Sequence, residues 1–220
     1  MRTTQITDNL IQLTRLRFVN AYLVREDDGF TLVDTTLKGA GKDLIAAARA
    51  AGGEIRRIAL THGHVDHAGA VDELRTALGP EVEYLLAEPD ARIHAGEAPK
   101  TAGGWPKVQS RPDRFLIPGE RVGSLEIHAS PGHTPGHVSF LDTRDRTLIS
   151  GDAYTTIAGV AVPTTLLQRF PLATTGTEDK DAARASARAL RALDPARLAP
   201  GHGSVVEAPA AAMDRAIAKA

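Results

Sequence analysis

The segment Leu60–Ala70, LTHGHVDHAGA, concentrates three histidines and an aspartate in a short stretch. In an extended loop, residues two apart point to the same side, so His62 and His64 can direct both imidazoles at one metal ion. Asp66 and His67 follow where the chain turns into a helix, and they can face a second ion. Neutral imidazole and carboxylate suit zinc best, and iron, manganese and nickel are also compatible. The segment therefore predicts half of a site for two metal ions.

Three further candidate ligands share one local context with this segment. His133 follows LEIHASPG, Asp152 follows TLISG and His202 follows RLAPG, so each comes after a short apolar strand and a turn with glycine or proline. Strand ends in α/β sheets converge on one edge, which is where such folds place their sites. A pair of dications needs an anionic bridge, which Asp152 could supply. Taken alone, each residue would be a turn or structural residue, and each becomes a candidate because the first segment leaves coordination positions vacant.

Strands and helices alternate around these loops. NLIQLTRL, VNAYLVRE and GFTLVDTT are predicted strands, with EDDG as a hairpin turn between the last two. Further strands are predicted at VEYLLA, RFLI, SLEIHA, VSFLD, TLIS and ARLA. Apolar spacing predicts helices over 41–52, after His67 and over 178–193. This order predicts an α/β fold, a four-layer αββα sandwich of two mixed β-sheets flanked by helices, as a single domain over 1–220.

Two stretches, 95–112 and 153–177, lack periodicity and are predicted loops that could form a substrate lid. Their large apolar side chains could wall a pocket or serve as packing anchors: Trp105, Leu166, Leu167 and Phe170.

Composition excludes several classes of protein. The chain has 220 residues, of which 42% are hydrophobic and 24% charged, as in ordinary globular proteins. Lys plus Arg number 26 against 27 for Asp plus Glu, which gives no basic surface for nucleic acid or an anionic membrane. There is no cysteine, and neither a signal-peptide pattern nor a membrane-length apolar run is evident. We expect a cytoplasmic monomer or homodimer with a small-molecule substrate, without nucleic-acid or membrane partners.

The motifs THGHVDH, PGHTPGH, SGD and PGHG, in this order, resemble the ligand motifs of the metallo-β-lactamase superfamily. The resemblance extends from VNAYLV to PGHG and implies the αββα fold. It also implies a ligand set for two metal ions: His62, His64 and His133 for the first, Asp66, His67 and His202 for the second, and Asp152 as the bridge. Asp34 would support the metal loop from beneath. The other histidines would lie outside the ligand set, His137 as a supporting residue and His94 and His128 at the surface or in the core.

Departures from individual members narrow the reaction that the resemblance implies. The true β-lactamases are usually exported and lack the bridging aspartate, whereas Asp152 is present here. Glyoxalase II carries an extra helical domain, for which the stretch after His202 is too short. RNA-processing members carry large inserts or basic surfaces, and this chain shows neither. The diiron flavoproteins have glutamate where this chain has His64. The expectation is a metal-dependent hydrolase of a small-molecule lactone, ester or thioester, with two divalent ions, zinc foremost and iron or manganese as alternatives.

The expected mechanism follows from the metal ions. A water held between two dications loses a proton near neutral pH and becomes a bridging hydroxide nucleophile. Asp66 could pass a proton to the leaving group. The similar quorum-signal lactonases place a tyrosine shortly after the bridging aspartate, so Tyr154 is a candidate oxyanion donor, with a packed structural tyrosine as the alternative. Three other functions stay open: a mononuclear iron persulfide dioxygenase of the same fold, a phosphodiesterase, and a non-catalytic module in which metal staples the loops.

Overall fold

The structure is a computed structural model that describes residues 1–164 and 174–220. The predicted pocket residues Leu166, Leu167 and Phe170 lie outside the described residues. No helix in the described part of the chain is both long enough and apolar enough to cross a membrane.

The chain divides into two compact units. Unit 1 comprises Met1–Pro99 and Trp105–Leu116, and unit 2 comprises Lys100–Gly104 and Ile117–Ala220. Each unit contains its own sheet and helices, which are described in turn. The prediction of one domain over 1–220 stays a prediction.

Unit 1 contains a mixed sheet. Its strands are β1 (Arg2–Gln5), β2 (Leu10–Arg15), β3 (Val19–Glu26), β4 (Gly29–Val33), β5 (Ile55–Ala59), β6 (Glu83–Leu86) and β7 (Arg114–Phe115). Neighbours from β1 to β4 are antiparallel, and neighbours from β4 to β7 are parallel. Glu26 pairs with Gly29 across the EDDG turn, which confirms the predicted hairpin. Because parallel strands need crossover connections, helices lie between the later strands.

The helices of unit 1 are α1 (Gly41–Ala50), α2 (Val65–Ala68), α3 (Val71–Leu78) and α4 (Glu88–His94). In α1 and α3 the apolar side chains recur at helical spacing, and Leu44, Ala48, Val71 and Leu74 are buried in one core with side chains of the sheet. Gly79, with a φ of 80°, follows α3 in a backbone conformation that favours glycine. Helix α4 and strand β1 were not predicted.

Unit 2 contains a second mixed sheet, with strands β8 (Arg121–Val122), β9 (Leu125–Ala129), β10 (Val138–Asp142), β11 (Thr147–Thr155), β12 (Arg197–His202) and β13 (Val206–Glu207). Strands β11 and β12 are parallel, and the other pairs described within this unit are antiparallel. Its helices are α5 (Lys180–Ala192) and α6 (Ala210–Lys219). Leu190 of α5 and Met213 of α6 share a buried core with Leu148 and Leu198 of the sheet.

Two mixed sheets with flanking helices confirm the predicted α/β class. One boundary was wrong, because residues 153–155 continue β11 instead of opening the predicted 153–177 loop. The whole of β11 is buried, and its pairing with β12 extends to Thr155 opposite His202. The predicted loop over 95–112 is confirmed, since no helix or strand forms there.

Candidate metal centre

The four candidate ligands of unit 1 lie on the loop after β5 and on the short helix α2. His62, His64 and His67 are buried, whereas Asp66 is half-buried. The ring centroid of His62 lies 4.8 Å from that of His64 and 4.1 Å from that of His67. Ligand atoms of Asp66 and His67 approach within 4.8 Å of each other. Within unit 1, the motif thus folds into one compact group of donors.

Hydrogen bonds to Asp34 fix which nitrogen of two histidines carries the proton. The Asp34 carboxylate, which follows β4, accepts from the Thr61 N–H at 2.8 Å and the Thr61 hydroxyl at 2.9 Å. It also accepts from His67 Nδ1 at 2.7 Å, so the lone pair of His67 is on Nε2. The Thr61 hydroxyl uses its proton on Asp34 and therefore accepts from His62 Nδ1 at 3.0 Å. Both imidazoles thus carry the tautomer that ligates metal through Nε2.

Helix α4 and Trp105 surround Gly63, the residue between His62 and His64. The Gly63 N–H donates to Asp90 Oδ2 at 2.8 Å, and the Gly63 carbonyl accepts from His94 Nε2 at 2.7 Å. The Trp105 ring packs edge-on against His64 with centroids 5.0 Å apart. A Cβ on Gly63 would lie 2.5 Å from Trp105 Cζ3, so only glycine fits this position without displacement.

Sequence reasoning missed Asp90 and left His94 at the surface or in the core. A signal was present, because EPDARIH has proline near its start and acidic residues in its first turn, as helix starts do. The role of these side chains, however, depends on contacts with the backbone of Gly63, which is 27 and 31 residues away in the chain.

The three candidate ligands of unit 2 meet at Asp152. Its Oδ2 lies 3.4 Å from His133 Nε2 and 3.2 Å from His202 Nε2, and all three side chains are buried. His133 Nδ1 lies 3.0 Å from the Thr177 hydroxyl, which leaves Nε2 directed at the carboxylate. The two imidazoles and the carboxylate thus present metal-ligand atoms to one another from three distant parts of the sequence.

Backbone contacts position these loops. Gly132, with a φ of 129°, packs against Ala183 of α5 so closely that a Cβ would collide with its backbone. The Gly132 carbonyl accepts from the Asp179 N–H at 2.9 Å. His202 ends β12, and its carbonyl accepts from the Thr156 N–H at 2.9 Å. The positions of His133 and His202 therefore follow from the packing of α5 and from the strand ends.

His137 contacts the backbone of Asp152. The Asp152 N–H donates to His137 Nε2 at 3.0 Å, so the proton of this neutral imidazole is on Nδ1, which donates to the Ser130 hydroxyl at 2.8 Å. His128 lies at a sheet surface with its Nε2 3.3 Å from Glu126 Oε1. Neither imidazole belongs to a group of side chains that could hold a metal ion in the described residues.

The structure does not support Tyr154 as an oxyanion donor. Its side chain is fully buried in the core of unit 2, and its hydroxyl donates to the Ala187 carbonyl of α5 at 2.7 Å. Burial raises the pKa of this phenol. The pairing of β11 with β12 shifts register between Gly151 and Thr155, the stretch that contains both Asp152 and Tyr154. Tyr154 is a packing residue, the alternative that the sequence left open.

The donor set fits a metal ion. All seven predicted ligands belong to His and Asp groups that could hold one, and six of the seven are buried. Imidazole and carboxylate without thiolate suit zinc, iron or manganese.

The family model of the metallo-β-lactamase superfamily matches residues 14–202, which include all seven candidate ligands. The chain therefore belongs to this superfamily, whose fold and metallo-hydrolase chemistry agree with the two mixed sheets and with the His and Asp groups.

Individual relatives give finer comparisons. The chain is 40% identical over 211 residues to an uncharacterized protein, YobT, of Bacillus subtilis (strain 168), with 92% of this chain and 90% of that protein covered. It is 30% identical over 151 residues to a hydroxyacylglutathione hydrolase of Rhodospirillum rubrum, with 67% and 48% covered, so it spans about half of that enzyme. Its structure is similar to that of TTHA1623 in a di-iron-bound form, with a TM-score of 0.69, 31% identity, and 90% and 94% of the chains covered.

Proposed function

We propose that this chain is a metal-dependent hydrolase that opens a lactone, ester or thioester bond in a small molecule and uses two divalent metal ions, zinc or alternatively iron or manganese. The observation that carries the proposal is the orientation of His62 and His67. The Nδ1 atom of His62 is tied to Thr61 and that of His67 to Asp34, an arrangement that is typical of histidines that bind metal through Nε2.

The proposed ligands follow the motif order of the superfamily. Three imidazoles would hold the first ion, two imidazoles and a carboxylate the second, and a further carboxylate would be shared: His62, His64 and His133; Asp66, His67 and His202; and Asp152. In support, the burial of six of these side chains shields their lone pairs from water, which favours a bound ion over a hydrated side chain.

When bound, two dications supply the Lewis acidity that polarises a carbonyl and lowers the pKa of water. The chain's own residues hold and complete the site. The carboxylate of Asp66 is half-buried while the histidines around it are buried, so Asp66 is the group placed to meet a substrate. It would accept the proton that the attacking water loses and hand it to the departing alkoxide or thiolate.

The relatives support the substrate class. A hydroxyacylglutathione hydrolase cleaves a thioester, and its partial match makes S-acyl thiols natural first substrates. The balance of 26 basic and 27 acidic residues supports a small molecule over nucleic acid or a membrane as the partner. We propose that the protein acts in the cytoplasm as a monomer or homodimer.

Metal quantitation combined with a substrate panel tests the proposal. Purified protein is analysed for zinc, iron and manganese, and is then assayed with homoserine lactones, aryl esters and glutathione thioesters. Two metal ions per chain and turnover of one class are expected. His62→Ala should lose both, whereas the matched His128→Ala should lose neither. A single iron per chain with oxygen consumption on glutathione persulfide would replace the hydrolase by a dioxygenase, and full activity of metal-free protein would remove the metal mechanism altogether.

A further inference from the structure

Both polar groups of Gly63 are held by side chains of the same helix. Asp90 accepts from the Gly63 N–H at 2.8 Å, and His94 Nε2 lies 2.7 Å from the Gly63 carbonyl oxygen. A carbonyl can only accept, so Nε2 of His94 carries the proton and donates it. The two peptide planes that join His62, Gly63 and His64 are therefore each fixed by one hydrogen bond.

Helix geometry explains why two side chains can reach one residue. Asp90 and His94 are four positions apart in α4, so they lie on the same face of the helix, one turn from each other. Asp90 is fully buried although it is an acidic residue. Burial of a carboxylate is costly unless it accepts hydrogen bonds. The bond from the Gly63 N–H therefore offsets part of the cost of burying Asp90.

Trp105 packs against the residues on both sides of these hydrogen bonds. Its ring packs edge-on against His94 at 5.6 Å and against His64 at 5.0 Å between centroids. The ring therefore contacts both the residue that holds Gly63 and one of the candidate ligands. A rotation of the Gly63 peptide groups would have to displace His94 and Trp105 together.

We propose that Asp90 and His94 are positioning residues for the metal ion held by His62 and His64, and that they act through the backbone of Gly63. The inference rests on the proposed metal site. Rotation of either peptide plane would change the direction in which the two imidazoles point, because their Cα atoms flank Gly63. The hydrogen bonds from Asp90 and His94 to Gly63 thus fix the relative orientation of the His62 and His64 imidazoles before a metal ion binds.

Loss of one of these bonds should weaken the metal site without unfolding the protein. Removal of groups that orient metal ligands typically costs about 10- to 100-fold in metal affinity. We expect that range for Asp90→Ala and for His94→Ala. Asp90→Asn keeps a carbonyl acceptor for the Gly63 N–H, and His94→Gln keeps an N–H donor near the position of Nε2, so both should recover most of the affinity.

Titration of chelator-treated full-length protein with Co²⁺ tests the inference. Affinity is read from the visible absorption of the bound ion, and the band positions report its coordination geometry independently of turnover. The alanine variants should show weaker binding and shifted bands with an unchanged far-UV spectrum, and the amide and glutamine variants should resemble the wild type. His94→Ala carries the test if Asp90→Ala cannot be purified folded.

Three results would overturn the inference. Wild-type affinity and bands in both alanine variants would mean that the hydrogen bonds do not position the ligands. Equal losses in the alanine and conservative variants would mean that the hydrogen bonds to Gly63 are not the cause. Wild-type protein that binds no Co²⁺ would remove the proposed function and this inference together, whereas the first two results leave the proposed function standing.

Discussion

The two units position their candidate ligands in different ways. In unit 1 four ligands lie between His62 and His67, and carboxylates from distant elements hold them: Asp34 and Asp90 each contact a backbone N–H that is 27 residues away. In unit 2 the ligands are spread from His133 to His202. There backbone contacts with α5 and between strand ends position the loops, together with side-chain bonds from His137 and Thr177.

This difference predicts which substitutions each unit should tolerate. A continuous ligand segment has little intrinsic rigidity, so unit 1 depends on single polar side chains that support it. In unit 2 the sheet register and helix packing supply the rigidity, so replacement of a ligand should remove its function but leave the frame intact. Side-chain support should therefore matter more for the stability of unit 1 than for that of unit 2.

The largest expected effect comes from Asp152→Ala in unit 2. Loss of the proposed bridge should reduce kcat/KM by at least about a thousandfold, roughly 4 kcal/mol of transition-state stabilisation, and should lower metal content. Because backbone contacts hold the surrounding strands, the metal-free variant should unfold at nearly the denaturant concentration of the metal-free wild type. Steady-state kinetics, metal analysis and urea unfolding measure the three quantities. Unchanged metal content would contradict the bridging role.

The next largest effect is expected from Asp34→Ala in unit 1. This change leaves the Thr61 N–H, the Thr61 hydroxyl and His67 Nδ1 without their buried acceptor, which should lower the free energy of unfolding by about 3 kcal/mol. Urea unfolding of metal-free protein measures this loss. Asp34 has a φ of 62°, a conformation that asparagine also tolerates, so Asp34→Asn is the matched control and should cost less. A loss for Asp34→Ala no larger than for Asp152→Ala would erase the contrast between the units.

The same contrast explains how far the sequence could predict the molecule. The strands β2, β3 and β4 and the helices α1 and α3 follow from apolar periodicity, because their burial pattern is set by one core. The ligand segment of unit 1 is visible because its members are adjacent, whereas His133, Asp152 and His202 stand out from ordinary turn residues only because that segment leaves coordination positions vacant.

The features that the sequence did not predict depend on contacts that leave no periodic pattern of apolar residues. Helix α4 has its acidic Asp90 buried against Gly63, so its inward face does not read as apolar. Strand β1 is largely exposed at the edge of its sheet, so its sequence RTTQ carries no buried pattern. The sequence left two roles open for Tyr154, because a register shift within β11 cannot be seen in the residue spacing.

A smaller effect is expected from Tyr154→Phe, which tests whether unit 2 uses this side chain for packing alone. Removal of the hydroxyl deletes its bond to the Ala187 carbonyl and should lower the free energy of unfolding by about 1 kcal/mol. The ring stays in place, so kcat/KM should stay within about twofold of the wild type. Urea unfolding and kinetics on the best substrate of the panel check both expectations. A tenfold fall in kcat/KM at unchanged stability would restore the catalytic role that the buried position argues against.

The smallest expected effect is a pH dependence of the carboxylate supports in unit 1. Asp72 of α3 accepts from the Gln109 N–H at 2.9 Å and the Ser110 N–H at 2.8 Å and so ties the 95–112 loop to the helix. Burial raises the pKa of Asp72, but the hydrogen bonds from Gln109 and Ser110 outweigh it and leave the pKa below its ordinary value of 3.8. A depressed pKa in the folded state means that the charged form adds stability above pH 3.8 and that this stability is lost as the pH falls through the folded-state pKa.

Urea unfolding of wild type and Asp72→Asn between neutral and acidic pH measures this contribution. Since Asp72 is only half-buried, solvent screening should limit the difference at neutral pH to about 0.5 kcal/mol. The difference should stay constant down to about pH 5 and shrink at lower pH, because protonation makes the wild-type side chain resemble the variant. Parallel curves over the whole range would mean that the charge of Asp72 adds nothing to its role as an acceptor. In that case the support that carboxylates give to unit 1 would be a matter of hydrogen-bond geometry, and acid would weaken both units alike.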